Sequence, residues 1–348
     1  MIVGLVYTSA TEDLLREAPE LALNLSDAPE TIEAVTQALE AGGHTVVPLN
    51  TDRGFPARIA EAQIDMAFNI ATGVYGESRQ ANVPAMLEYL RIPYTGGSVL
   101  AESVTHHKPV MKRVLMALGL PTPAFQVFHE VDEPLDAGLR FPLIVKLPAE
   151  GGSLGMNHKS VVENEADLRA QVAFLLETYG QGALAEEYVG GREFTVTVLG
   201  NRPPYLLPVV ERLYFGDIRI QLDEPEPTTL EEYRRLTGKD MAYTVVDSQS
   251  VAPAALSDAE AGEIERIALA AYQALACRDW ARLDLRMDQN GRLYLLDMNL
   301  EPAIAPDYAV ARAARAAGWS YAALVNRILD HAVERYPHLR AELTERTP

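Results

Sequence analysis

The side chains best suited to chemistry lie in two short segments toward the end of the chain. The run "LYLLDMN" closes on Asp297 and Asn299. Residues two apart in a strand share a face, so a carboxylate and an amide stand side by side there. The alternating segment "ARLDLRM" sets Arg282 and Asp284 in the same relation. Between the two segments lies Gln289-Asn290-Gly291, and Asn-Gly flanked by apolar runs signals a tight hairpin. Pairing across that turn brings Asp284 and Asp297 opposite or diagonal on one face. Two carboxylates and an amide make a hard oxygen donor set of the kind Mg²⁺ takes, with water and phosphate completing its shell. Arg282 would stand beside it as a substrate cation or as a partner for the acids. A solvated sheet face with ordinary polar residues accounts for the same pattern.

Further upstream, "FPLIVKLPAEGGSLGMN" sends Lys146 out of an apolar strand and follows it with Gly151, Gly152, Ser153 and Gly155. Backbone N–H groups of such a turn can close on a phosphate, and the lysine adds a fixed positive charge. It is neither a Walker loop nor a dinucleotide fingerprint, because the spacing fails for both. A flexible loop would need the same glycines. The segment "AEEYVGGREF" offers Glu186, Glu187 and Glu193, which suit an adenine amine or ribose hydroxyls and equally suit solvated strand charges. Lys108 begins a helix, where it opposes the macrodipole unless an anion is bound. The adjacent side chains of His106 and His107 diverge, so a capping or solvent-facing role is expected for them rather than a metal.

The elements that would position these groups are legible in outline. "MIVGLVY" and "IDMAFNI" read as buried strands. "SDAPETIEAVTQALEAGGHTVVPLN" reads as helix, glycine stop and strand, with Ser26 or Asp27 as cap and Pro29 in the first turn. This alternation predicts a parallel, doubly wound N-terminal sheet, with ligands at the strand ends. A helix follows over "KPVMKRVLMA", closed by Gly119 and Pro121, and another near Glu165–Tyr179. "ALAEEYVGGREFTVTVLG" is expected to be a hairpin about Gly190-Gly191. The segment 216–250 is long, acidic and aperiodic, as lids often are.

A chain of 348 residues is too long for one core, so two or three domains are expected. Its formal net charge of −19 disfavours nucleic acid and anionic membrane as partners, since both would repel it. Cys277 is the only cysteine, so no intrachain disulfide forms, and the N-terminus lacks the pattern of a signal peptide. A cytoplasmic location is the expectation.

Taken in order, Lys108, Lys146 with its glycine loop, Glu186 to Glu193, then Arg282-x-Asp284 to Asp297-x-Asn299 resemble the ATP-grasp superfamily, and within it the D-alanine–D-alanine ligase family. "PYTGG", "KPVMKRVLMALGLPTP", "FPLIVKLPAEGGSLGM", "EEYVGGREFTVTVLGN" and "ARLDLRMDQNGRLYLLDMNLEP" carry the resemblance over nearly the whole chain. It implies an α/β, three-domain enzyme: an N-terminal unit at 1–100, a central unit at 101–185, and a catalytic unit at 186–348 with a lid near 216–250. ATP would lie between two sheets. Lys108 and Lys146 would meet its phosphates under the loop of Gly151, Gly152 and Ser153. Glu186 would accept from the adenine amine, Glu193 would bind the ribose, and Glu187 and Val189 would also belong to the ATP site. Asp284, Asp297 and Asn299 would hold two Mg²⁺ ions, with Mn²⁺ as an alternative; the family has glutamate where this chain has Asp297. Arg282 and the backbone N–H of Ala303 would stabilise a tetrahedral intermediate. The implied reaction joins a small-molecule carboxylate to an amine through an acyl phosphate, and a homodimer is compatible with it.

The substrate-reading segments depart from the family. Its glutamate-rich segment after the first strand and its His-Gly loop are replaced by "TSATEDLLREAPELALNLSDAPETI" and "NIATGVYGESRQ". Its tyrosine-lysine lid motif is absent from 216–250. Asp307 and Tyr308 stand where a serine-leucine pair holds the second carboxylate. Asp307 would repel a carboxylate, so the expected acceptor is a cationic amine or one without a nearby carboxylate, and not D-alanine. Two other readings are a D-alanine–D-alanine ligase with divergent anchors and an inactive nucleotide-binding scaffold.

Overall fold

The computed structural model describes residues 1–17, 19, 22, 26–73, 76, 78–214, 220, 234–235 and 248–339. Most of the lid expected near 216–250 lies outside the described residues. Strands β1 (Ile2–Tyr7), β2 (Thr45–Asn50) and β3 (Met66–Asn69) form a parallel sheet in the order β2-β1-β3. Their apolar runs do not alternate because both faces are covered. On one face Val3, Leu5 and Phe68 cluster with Leu39 of the helix Pro29–Ala41 and Leu324 and Ile328 of the helix Tyr321–Val333. On the other, Val6, Leu49 and Ala67 cluster with Ile59 of the helix Phe55–Glu61 and with Val83 and Leu87 of the helix Arg79–Leu90. The N-terminal sheet is therefore doubly wound, as the sequence predicts. The expected cap is not: Ala28 is the N-cap of the helix Pro29–Ala41 and no side chain caps it. The Asp27 carboxylate accepts instead from the Thr8 backbone N–H at 2.9 Å.

A second, antiparallel sheet runs in the order β4-β7-β5-β6, from Phe125–Phe128 (β4), Leu143–Lys146 (β5), Val161–Val162 (β6) and Ala183–Glu187 (β7). The helix Glu165–Tyr179 is capped by Asn164, whose side chain accepts from the Asp167 N–H. It buries Leu168, Val172 and Leu175 against Leu143, Val145 and Ala185 of the sheet.

The third sheet is antiparallel with the order β11-β10-β8-β12-β13, and β9 pairs off its path with β8. Its strands are Arg192–Leu199 (β8), Tyr205–Leu206 (β9), Val210–Tyr214 (β10), Ser248–Val251 (β11), Trp280–Met287 (β12) and Leu293–Asn299 (β13). Leu283, Leu285, Leu295 and Met298 point into a core closed by Ile264 and Ile267 of the helix Asp258–Ala274 and by Met111 and Leu115 of the helix Lys108–Ala117. The opposite face is left for the site.

The expected hairpin about Gly190-Gly191 does not form. β7 belongs to the second sheet and β8 to the third, so the two glycines carry the chain from one sheet to the other. Gly191 has φ +119, and a Cβ there would run into the Met287 backbone carbonyl oxygen. The glycines mark a close backbone crossing, which reads in sequence like a tight turn.

The hairpin at Asn290-Gly291 does form, with one irregularity. Leu285 stands opposite Leu295, and then the register shifts so that Asp284 faces Asp297 and Arg282 faces Asn299. Leu296 is the extra residue of a β-bulge. With unbroken alternation Leu296 would face Asp284, and Asp297 would turn to the core side with Leu283.

Gly43 has φ +81 but open space around its missing Cβ. Gly43→Ala should cost about 1 kcal/mol from the left-handed backbone alone, whereas Gly191→Ala, which adds a backbone clash, should cost about 3 kcal/mol. Thermal unfolding of the two variants beside the parent checks this ordering.

Candidate active site

Every candidate for ATP, metal and substrate binding, together with Arg282 and Ala303, lines one cavity of about 730 Å³. The second sheet, the third sheet, the segment after β13 and the N-terminal unit all contribute walls to it.

The cavity is organised by ion pairs. Lys108 reaches the Glu150 carbonyl at 2.6 Å and the Asp297 carboxylate at 3.1 Å. Arg282 pairs with Asp284 at 2.9 Å, and Thr195 donates to the same carboxylate at 3.2 Å. Glu186, expected to accept from adenine, has one oxygen 2.5 Å from Lys146 and the other 2.7 Å from Lys112. Lys112 is wholly buried and also donates to Thr122 at 2.7 Å. Burial alone would push the Glu186 carboxyl up, but the two lysines outweigh it and hold it at about 2. Burial lowers Lys112, while Glu186 and Asp297 overcome burial at Lys146 and raise it. Two lysines on one carboxylate leave a surplus positive charge at the head of the glycine loop.

Glu193, read as a ribose ligand, pairs with Arg286 at 2.5 Å. Arg286 also donates to the Val189 carbonyl at 3.0 Å, and Glu187 accepts from the Arg140 N–H at 3.0 Å. The strand ends on this side are thus tied to each other across the sheet crossing.

Asp284, Asp297 and Asn299 meet on facing strands, which suits a hard divalent cation. Burial raises the Asp284 carboxyl, with Asp297 adding to the effect and Arg282 opposing it. A cation placed between the two carboxylates would relieve that desolvated charge. Among the described residues no group of three His, Cys, Asp or Glu gathers at one point. What the facing strands offer a cation is two carboxylates and an amide.

Several functional groups escaped the sequence reading. Lys112 follows Lys108 by four residues on one helix face, a spacing that could have signalled it. Arg79 pairs with Glu150 at 2.6 Å with both side chains buried, and Gln181 holds the other Glu150 oxygen at 2.7 Å. This ties the start of the helix Arg79–Leu90 to the residue preceding Gly151. His106, expected at the solvent, is buried; burial first, then Arg79 and Lys108, lower it to about 3, so the ring is neutral. Glu301 lies against Glu102, and Asn69 donates to it at 3.2 Å. Asp27 lines the far wall of the cavity. Burial raises its carboxyl to about 7 despite the Thr8 hydrogen bond.

The comparisons agree with this architecture. The family described as "D-ala D-ala ligase C-terminus" matches residues 114–330. A D-alanine–D-alanine ligase of Desulforudis audaxviator is 33% identical over 309 residues, covering 87% of this chain and 92% of the relative. The uncharacterized protein y4sG of Sinorhizobium fredii is 35% identical, covering 87% and 88%. Among solved structures, a Bacillus anthracis D-alanine–D-alanine ligase complexed with ATP superposes with a TM-score of 0.72 at 21% identity, over 96% of this chain and 98% of that one. The VanG D-Ala:D-Ser ligase of Enterococcus faecalis gives 0.74 at 17% identity, over 95% and 99%. The family match and the fold place the chain among ATP-dependent ligases of carbon–nitrogen bonds with the ATP-grasp architecture. The chain belongs to the D-alanine–D-alanine ligase family.

A carboxyl raised on folding contributes stability that is complete below its ordinary range and is lost as pH climbs through the raised value. For Asp27 that loss falls between the ordinary carboxylate range and about pH 7. Asp27→Asn removes it. The melting temperature of the variant relative to the parent should therefore be higher at pH 8 than at pH 5, which differential scanning calorimetry at the two pH values measures.

Proposed function

We propose that this protein joins a carboxylate to an amine on amino-acid-like substrates other than two D-alanines, using ATP and passing through an acyl phosphate. A substrate carboxylate oxygen attacks the γ-phosphorus, and the bond to ADP breaks. The amine nitrogen then attacks the acyl carbon, the carbon–oxygen bond to phosphate breaks, and the amine proton leaves to solvent. The observation that carries this reading is the cavity that gathers Lys108, Lys146, Arg282, Asp284, Asp297 and Asn299. Lys108 and Lys146 hold the phosphates, and the turn of Gly151, Gly152 and Ser153 closes over them. Glu186, Glu187 and Val189 flank the adenine, and Glu193 faces the ribose. Asp284, Asp297 and Asn299 hold two Mg²⁺ ions, which when bound neutralise phosphate charge. Arg282 and the Ala303 N–H meet the oxyanion at the acyl carbon. Asp307 and Tyr308 face the acceptor, and it is their departure from the family that supports a changed substrate.

The curated relatives' names favour a second reading, synthesis of D-alanyl-D-alanine. Phosphate release from MgATP across a panel of amino acids and small carboxylates, with mass spectrometry of products, decides between them. An amide product from another pair is expected; efficient formation of D-alanyl-D-alanine replaces the first reading with the second. No phosphate release with any pair would leave the scaffold.

The surplus charge on the Lys112–Glu186–Lys146 cluster gives a further expectation. Lys112→Met leaves Lys146 bound by an unshared carboxylate and should raise the KM for ATP about tenfold, equivalent to about 1.4 kcal/mol. Adding Glu186→Gln frees Lys146 again and should recover part of that loss. Steady-state KM values for the single and double variants test the coupling.

A further inference from the structure

Arg312 lines the cavity from the first turn of the helix Ala309–Ala316, directly behind Asp307 and Tyr308. Its backbone N–H donates to the Tyr308 carbonyl at 2.9 Å, and its Nε donates to the Asp307 carbonyl at 2.5 Å. The first bond sets the helix on the segment that follows β13, and the second holds the guanidinium against that segment. Among the described residues, no carboxylate comes within ion-pair distance of its Nη groups. Other cations of the cavity differ in this respect: Lys108, Lys146, Arg282 and Arg286 each have a carboxylate partner. A half-buried arginine anchored through Nε, with its outer edge open, is half of a bidentate carboxylate site.

Position argues for the amine substrate rather than the nucleotide. Arg312 and Ala303 belong to the same wall, beyond Asn299, whereas Glu187 and Val189 follow from the second sheet. We propose that Arg312 is a specificity-determining residue that holds a carboxylate of the amine substrate, so that the acceptor is an amino acid rather than a simple amine. This rests on the ligase reading above. Arg312 supplies the countercharge that the sequence reading lacked, and it removes the reason to expect an acceptor without a carboxylate beside Asp307. The side chains of Asp307 and Arg312 do not pair, so the wall offers one charge of each sign. An acceptor bearing a second negative group there would meet Asp307.

The test uses the full chain with MgATP and amino-acid donors. Each acceptor is supplied as the free acid or as its carboxamide: glycine and glycinamide, D-alanine and D-alaninamide, L-alanine and L-alaninamide. Amide products are quantified by mass spectrometry. The free acids should be used at least about tenfold better in kcat/KM, the scale of one charge-assisted hydrogen bond. Arg312→Met should raise the acceptor KM by about the same factor and leave the KM for ATP unchanged, and Arg312→Lys should recover part of the loss. Equal use of acids and carboxamides, or an unchanged acceptor KM in Arg312→Met, overturns the assignment while the ligase reading stands. A rise in the KM for ATP instead identifies the anion as phosphate and also overturns it. If no pair yields an amide with the parent protein, the ligase reading itself fails and takes this one with it.

Discussion

The direction in which Asp297 and Asn299 project depends on Leu296. Side chains alternate along a strand, so one inserted residue reverses the face of everything beyond it. Before the bulge, Leu293 and Leu295 share the core face with Leu285 and Met287. After it, Met298 keeps the core contact, and the two oxygen donors face Asp284 and Arg282 across the hairpin. The apolar core and the polar face are satisfied together only because the strand carries one residue more than its partner. The loop that follows, with Glu301, Ala303 and Asp307, takes its starting point from the same shift.

Around that strand the charges are arranged to stay useful while desolvated. The whole chain carries a net charge of −19, yet lysines and arginines gather in the cavity. Several of the paired cations are held by carboxylates from a different segment, as Lys108 is by Asp297 and Arg79 by Glu150, whereas Arg282 pairs with Asp284 on its own strand. Removing one partner of such a buried pair costs about 3–5 kcal/mol, so on the proposed reading a bound phosphate would have to substitute for these contacts rather than merely add to them. Glu186 is the exception in stoichiometry, since it serves two lysines at once.

Much of this was legible in the sequence, for identifiable reasons. The doubly wound sheet showed in its uninterrupted apolar strands, and the meeting of Asp284 with Asp297 showed in the Asn290-Gly291 turn between them. The order of Lys108, Lys146 and Arg282-x-Asp284 pointed to the family before any geometry was known. What remained hidden depends on where the chain crosses itself. Gly190-Gly191 has the composition of a hairpin turn, and only the passage beside Met287 reveals a sheet crossing. Lys112 and Arg79 looked like ordinary helix charges until distant carboxylates closed on them. Arg312 sits in an alanine-rich helix whose amphipathic pattern gives no hint of a cavity. His106 was misplaced because adjacent histidines say nothing about the wall that covers one of them.

The helix Tyr321–Val333 packs on β1 and β3, and Asn326 donates to the Ala38 carbonyl at 2.7 Å, so the first sheet takes one of its two covers from the far end of the chain. A ribosome making this protein releases the first sheet hundreds of residues before that cover exists. Until then Val3, Leu5 and Phe68 have the helix Pro29–Ala41 on that flank without the second helix that completes its cover. The cover of the N-terminal unit is thus completed late although the unit is synthesised first, and removal of the helix Tyr321–Val333 would thin the cover of a sheet far from it in sequence.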